Sequence, residues 1–66
     1  MTMVKNYWGV EIDLDVAVNL MDDDLREDLI AHNDYETEQE FFDDYCEAHE
    51  AKYGDEFELA KENPVY

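Results

Sequence analysis

The chain has 66 residues, 20 of them acidic and 4 basic, and its formal net charge at pH 7 is -16. This length allows one small domain, which buries only about 60% of the surface that its unfolded form exposes. Because contacts with phosphate need Lys and Arg, the composition excludes nucleic acid as the direct partner and disfavours an anionic membrane surface.

The remaining composition predicts a folded domain. Hydrophobic residues make up 45% of the chain, and three Phe, five Tyr and one Trp supply large rings for a core. A single cysteine, Cys46, excludes an internal disulfide. The sequence has neither the apolar run of a signal peptide nor the roughly 18 apolar residues of a membrane span. We therefore expect a cytoplasmic monomer with one domain over residues 1–66, of which 62–66 form a tail.

The first predicted element is a strand over residues 4–12. Its residues alternate, so that Trp8, Val10 and Ile12 point to one side of a sheet. Gly9 weakens the strand and marks a bulge or a close approach of another backbone.

A short helix follows, capped by Asp13 or Asp15. Its apolar residues recur at helical spacing and are Leu14, Ala17, Val18 and Met21. The β-branched residues Val16 and Val18 leave a continuing strand open as the alternative.

A second helix is predicted to begin at the three acids Asp22, Asp23 and Asp24, because negative charge is favourable at a helix start. Leu25, Leu29 and Ile30 are expected to face inward. His32 lies in the last turn and Asn33 at the exit.

The longest predicted helix runs from Thr37 to Gly54. Thr37 and Glu40 have the spacing of a capping box, in which Glu40 accepts from the Thr37 amide, and Gly54 is a typical helix stop. The side predicted to face the core carries Phe41, Phe42, Tyr45, Cys46, His49 and Tyr53. The opposite side carries Glu40, Asp43, Asp44, Glu47 and Glu50.

The segment 55–60 alternates again and predicts a strand that pairs with the first one. A helix capped by Asp55 is the alternative. Together these elements predict an α+β fold, with two or three helices packed on a small antiparallel sheet formed by the N- and C-terminal segments.

Several kinds of chemical site are disfavoured. The acidic stretches lack the Gly of a calcium loop, and Cys46, His49 and His32 form an incomplete metal-ligand set, so that packing roles are expected. The chain has no Ser and no Gly-rich phosphate loop. We predict no metal, no cofactor and no enzymatic activity. Tyr7 and Tyr35 are candidates for exposed contact residues.

The outer side of the longest helix repeats like charges at spacings of three and four, each pair costing about 0.2–0.5 kcal/mol. An ordinary solvated helix mixes the two signs instead. Five carboxylates from Glu40 to Glu50 cover about 15 Å of helix. Their spacing of roughly 3 Å is close to the ~3.4 Å between phosphates along one DNA strand. This pattern favours a strongly basic, DNA-binding partner.

In its length, its acidic blocks DDDLRED and EQEFFDDYCEAHE and its scarcity of Lys and Arg, the sequence resembles the small acidic DNA mimics of phages and mobile elements. These comprise anti-restriction and anti-CRISPR proteins. The likeness is greatest to short anti-CRISPR proteins directed against type I complexes, with type I-C as the candidate subtype. The resemblance implies a stoichiometric inhibitor that occupies the surface where a Cas8-type large subunit recognises the protospacer-adjacent motif.

The candidate partner-binding residues form two groups, one on each of the two longer helices. They are Asp22, Asp23, Asp24, Glu27 and Asp28, and Glu40, Asp43, Asp44, Glu47 and Glu50. The same acidic surface would also suit an antitoxin or immunity protein that covers a basic nuclease, an anti-restriction DNA mimic, or an acidic accessory subunit of a larger assembly.

Overall fold

The fold was analysed in a computed structural model, which describes residues 2–63. A two-stranded hairpin comes first, followed by three α-helices and a short 3₁₀ helix. The elements in order are β1 (Met3–Lys5), β2 (Glu11–Asp13), α1 (Leu14–Leu20), α2 (Asp23–His32), α3 (Glu38–Tyr53) and the 3₁₀ helix (Glu58–Ala60). The predicted α+β class is thus confirmed, with three helices beside a small antiparallel sheet.

The hairpin replaces the single strand predicted over residues 4–12. β1 and β2 are antiparallel, with Val4 opposite Ile12, and both of these residues are buried. The chain reverses at residues 6–10, where Asn6 N–H donates to the Val10 carbonyl and Gly9 has a φ of 82°. Because Trp8 lies in this turn, it is exposed and does not share a strand face with the buried Ile12 as predicted.

The two shorter helices begin as the sequence predicts. The Asp13 side chain caps α1 by accepting from Asp15 N–H, and the Asp22 side chain caps α2 by accepting from Asp24 N–H. Each cap satisfies an N–H that has no partner inside the helix. A hydrogen bond from the Arg26 guanidinium to the Val18 carbonyl joins α2 to the end of α1.

Both predicted ends of α3 are confirmed. Thr37 Oγ accepts from Glu40 N–H at 3.2 Å, and Gly54 ends the helix in the left-handed region with a φ of 71°. The capping box is not reciprocal, because the Glu40 carboxylate accepts from Glu36 N–H instead of from the Thr37 amide. The cap therefore reaches one residue further back than predicted.

The core lies between the hairpin, the helices and the C-terminal segment. Its largest fully buried side chains are Ile12, Phe42, Tyr45 and Leu59. Two residues expected to face inward do not, since Ile30 is 57% exposed and Tyr53 is 50% exposed.

The C-terminal segment contributes no strand within the described residues, so the prediction of a strand over 55–60 is wrong. Phe57, Leu59 and Ala60 are buried around a 3₁₀ turn in which Ala60 N–H donates to the Phe57 carbonyl. β1 finds its partner in β2 and needs no strand from this segment. Part of the predicted tail, residues 64–66, lies outside the described residues. None of the helices between residues 2 and 63 is long and apolar enough to cross a membrane.

Candidate partner-binding surface

The outer side of α3 presents its acids to solvent as predicted. Glu40, Asp43, Glu47 and Glu50 are exposed, and Asp44 is half-buried. They lie opposite the side of the helix that buries Phe42 and Tyr45. The helix therefore separates its apolar and acidic residues as the 3.6-residue period requires.

Neutral donors hold three of these carboxylates in place. Asp43 accepts from the side-chain amide of Gln39 at 2.9 Å, and Asp44 accepts from the hydroxyl of Tyr35. Burial, together with the neighbouring Asp44, raises the pKa of Tyr35 to about 12. Glu40 accepts from the Glu36 backbone, as described above. Such contacts orient the carboxylates without cancelling their charge.

The acids at the start of α2 are arranged differently, because cations lie beside them. Asp22 accepts from the Tyr53 hydroxyl and from Lys52 Nζ, the latter at 3.1 Å, and only 27% of its side chain is exposed. These two hydrogen bonds, first from Tyr53 and then from Lys52, lower the pKa of Asp22. Asp23 lies 3.3 Å from Arg26.

The remaining acids of α2 are exposed. Asp24 and Glu27 face solvent, and Asp28 lies 3.2 Å from Nδ1 of His32. The start of α2 lies beside the end of α3, where Asp22 contacts Lys52, so the two helices run antiparallel.

Three of the four basic residues form ion pairs, and none of these pairs includes an acid on the outer side of α3. Arg26 pairs with Asp23, Lys52 with Asp22, and Lys61 with Glu58. Within residues 2–63, no Lys or Arg forms an ion pair with an acid on the outer side of α3. The acids on the outer side of α3 therefore have no ion pair within the described part of the chain.

A cleft of about 830 Å³ borders the same helix. The hairpin turn forms one wall with Tyr7 and Trp8, which are 91% and 53% exposed. The α3 residues Asp43, Glu47 and Glu50 form the other wall. The sequence indicated Tyr7 as a contact candidate but not Trp8, because the alternation in residues 4–12 placed Trp8 on the same side of a strand as Val10 and Ile12.

Cys46 and His49 lie on the inner half of α3. Burial, with a smaller effect of Asp43, raises the pKa of the Cys46 thiol to about 12. His49 Nδ1 lies 2.9 Å from the Asp55 carbonyl, and its ring packs near Tyr53 and Phe57. Among residues 2–63, no three His, Cys, Asp or Glu side chains are grouped as metal ligands would be.

Comparison with known proteins identifies one family. Residues 5–57 match a family model described as anti-CRISPR protein AcrIC5. This range includes β2 and the three α-helices, and with them all ten candidate acids. No curated protein matches the chain.

Proposed function

Since this chain belongs to the AcrIC5 family of anti-CRISPR proteins, we propose that it is a stoichiometric inhibitor that mimics DNA. It occupies the surface with which a CRISPR–Cas effector complex recognises target DNA. In a type I complex, that surface belongs to the Cas8-type large subunit. The inhibitor acts as a monomer in the bacterial cytoplasm, by occupancy and without catalysis.

One observation carries this proposal: the acids on the outer side of α3 have no cationic partner among the described residues. A partner that brings Lys and Arg can therefore form ion pairs without first breaking existing ones. A DNA-binding groove offers such cations at the spacing of phosphates. Carboxylates then take the place of phosphates as hydrogen-bond acceptors.

The net charge of -16 supports the same mechanism. Complementary charge steers two proteins together and speeds their association, and this effect weakens as salt screens the charges. The charge also destabilises the folded inhibitor through self-repulsion. Binding to a basic partner removes that cost, so part of the binding free energy comes from relief of repulsion inside the inhibitor.

The ten candidate acids do not contribute equally in this proposal. The acids that contribute most are exposed and form no ion pair with a described Lys or Arg; they are Asp24, Glu27, Glu40, Asp43, Glu47 and Glu50. Asp22 and Asp23 contribute less, since each must exchange its present cation for one from the partner. The full set is Asp22, Asp23, Asp24, Glu27 and Asp28 from the start of α2 onward, and Glu40, Asp43, Asp44, Glu47 and Glu50 from α3.

A competition experiment tests the proposal. Purified type I-C effector complex is incubated with labelled target DNA and increasing inhibitor, and DNA binding is followed by fluorescence anisotropy. We expect the inhibitor to displace the DNA at stoichiometric amounts, with an affinity for the complex that falls steeply as salt rises. Undiminished DNA binding in excess inhibitor would show that it acts elsewhere.

Two matched double variants distinguish the effect of charge on the proposed surface from the effect of the total net charge. Glu47→Lys with Glu50→Lys changes the charge from -16 to -12, since each substitution adds two charges. Asp15→Lys with Glu62→Lys makes the same change at exposed positions outside the proposed surface. The first pair should weaken inhibition at least tenfold and the second pair much less. Equal losses would mean that only the net charge matters.

A further inference from the structure

The hairpin turn presents two large aromatic side chains to solvent, although exposing apolar surface to water is unfavourable. Tyr7 and Trp8 contact each other edge to face, with ring centroids 5.9 Å apart and an interplanar angle of 85°. Tyr and Trp side chains are enriched at the centres of protein interfaces. Core packing does not account for their position, because Val4 and Ile12 fill the space under the hairpin.

A buried asparagine fixes the turn that carries these rings. The Asn6 side-chain oxygen accepts from Trp8 N–H at 2.9 Å and from Val10 N–H at 3.0 Å. Its side-chain nitrogen donates to the carbonyls of Leu59 and Lys61, both at 2.9 Å. Asn6 is only 6% exposed. Two of its bonds hold the turn itself, and the other two tie the turn to the C-terminal segment. The backbone of Tyr7 and Trp8 is therefore held in place before any partner binds, which lowers the entropy cost of binding.

A side-chain amide also connects β1 to α3 at the edge of the cleft. Gln39 accepts from Lys5 N–H and donates to the Lys5 carbonyl, each at 2.7 Å. The same amide nitrogen donates to Asp43. The two walls of the cleft are thus joined, and their separation is fixed by the fold.

Charge decides what this cleft can accept. Four carboxylates line it, from Asp43, Glu47, Glu50 and Glu56, against one cation, Lys5. Phosphates and other anions are therefore repelled. The volume falls within the roughly 300–1,000 Å³ of pockets that hold small ligands, which is ample for one long side chain.

We propose that this cleft receives an arginine side chain of the protein partner, stacked on Trp8 and Tyr7 and hydrogen-bonded to the carboxylates of α3. A guanidinium is planar, stacks on aromatic rings and donates in a fork that matches a carboxylate. A lysine ammonium lacks the planar fork and is more strongly hydrated, so it fits less well. The inference rests on the proposed function for the identity of the partner. The cleft's preference for arginine is a property of this chain alone.

The isolated protein provides the first test, because Trp8 is the only tryptophan and its fluorescence reports on the cleft. The probes are the blocked tripeptides Gly-Arg-Gly, Gly-Lys-Gly and Gly-citrulline-Gly. We expect saturable changes with the arginine peptide, a several-fold weaker response with lysine and none with citrulline. Equal responses to arginine and lysine would overturn the proposal.

The effector complex provides the second test. Trp8→Ala should weaken binding to the complex at least tenfold, whereas Ile30→Ala, at another exposed apolar residue, should change it less than twofold. Circular dichroism checks that both variants fold. If Trp8→Ala binds the complex with full affinity while the wild-type protein displaces DNA, the arginine cleft is refuted and the proposed function stands. If the wild-type protein does not compete with DNA, the proposed function is refuted. The peptide titration then still tests whether the cleft prefers arginine.

Discussion

The hydroxyl of Tyr45, in the middle of α3, accepts a hydrogen bond from the backbone N–H of Asp22, at the start of α2, with an N···O distance of 2.8 Å. The ring of Tyr45 is fully buried and packs edge to face against Phe57. One side chain therefore joins the two acidic helices and the C-terminal segment. It is the point at which the core fixes the geometry of the candidate surface.

Tyr45→Phe should destabilise the protein by about 1–2 kcal/mol, because the Asp22 N–H loses its partner while the ring packing is retained. Urea unfolding followed by circular dichroism measures the change. Tyr7→Phe removes a hydroxyl from a side chain that is 91% exposed and should stay within about 0.5 kcal/mol of wild type. Similar losses in the two variants would contradict the role assigned to Tyr45.

Asp22→Asn tests the network with Tyr53 and Lys52. Asn caps helices as well as Asp does, so the substitution removes the charge and keeps the cap. Because the folded-state pKa of Asp22 lies below its usual value of 3.8, its stabilisation is present at neutral pH and is lost as pH falls below that value. Wild type should therefore be more stable than Asp22→Asn near neutrality, and the difference should shrink on acidification.

Urea midpoints measured from neutral pH down to about pH 3 follow this difference. Glu62→Gln, at an exposed position in the C-terminal segment, serves as the control for loss of one negative charge. A difference between wild type and Asp22→Asn that does not vary with pH would show that the charge of Asp22 does not stabilise the fold through Tyr53 and Lys52.

The helices could be predicted well because their signals are local. In α3, a cap at Thr37, a stop at Gly54 and a continuous apolar stripe all agree, so both ends were predicted correctly. The strands were harder. Alternation over residues 4–12 fits one long strand as well as a hairpin, and the decisive bonds of Asn6 go to residues more than 50 positions away.

In the C-terminal segment, the alternation of apolar and acidic residues did not determine the backbone conformation. Phe57 and Leu59 alternate with Glu56 and Glu58 and are both buried, but a 3₁₀ turn buries them as well as a strand would. Similarly, the exposed acids were readable from helical spacing. The pairing of Lys52 with Asp22 could not be predicted from this spacing, because it joins residues 30 positions apart.

The thiol of Cys46 should resist alkylation in the folded protein. Burial raises its pKa from 9.0 to about 12, which lowers the reactive thiolate fraction about a thousandfold near pH 8. Mass spectrometry after iodoacetamide treatment should show slow modification in buffer and rapid modification in concentrated urea. Equal rates in the two conditions would show that the thiol is accessible and that its pKa is unshifted.

Glu47→Lys should raise stability and lower inhibition at the same time. Glu47 lies one turn from Asp43 and one turn from Glu50, and like charges at these spacings repel by about 0.2–0.5 kcal/mol per pair. Lysine turns both repulsions into attractions, and an acid four residues before a lysine is the favourable order. Each pair then changes by about 0.4–1 kcal/mol, so the free energy of unfolding should increase by about 0.8–2 kcal/mol.

Inhibition should fall because the same substitution places a cation on the surface that we propose binds the partner's cations. Urea unfolding and DNA competition are measured on the same preparations, with Glu47→Gln as the uncharged intermediate. The glutamine variant should lie between wild type and lysine in both measurements. A loss of inhibition accompanied by a loss of stability would point to damage to the fold. Opposite changes would show that this acid is retained for binding at the expense of the folded state.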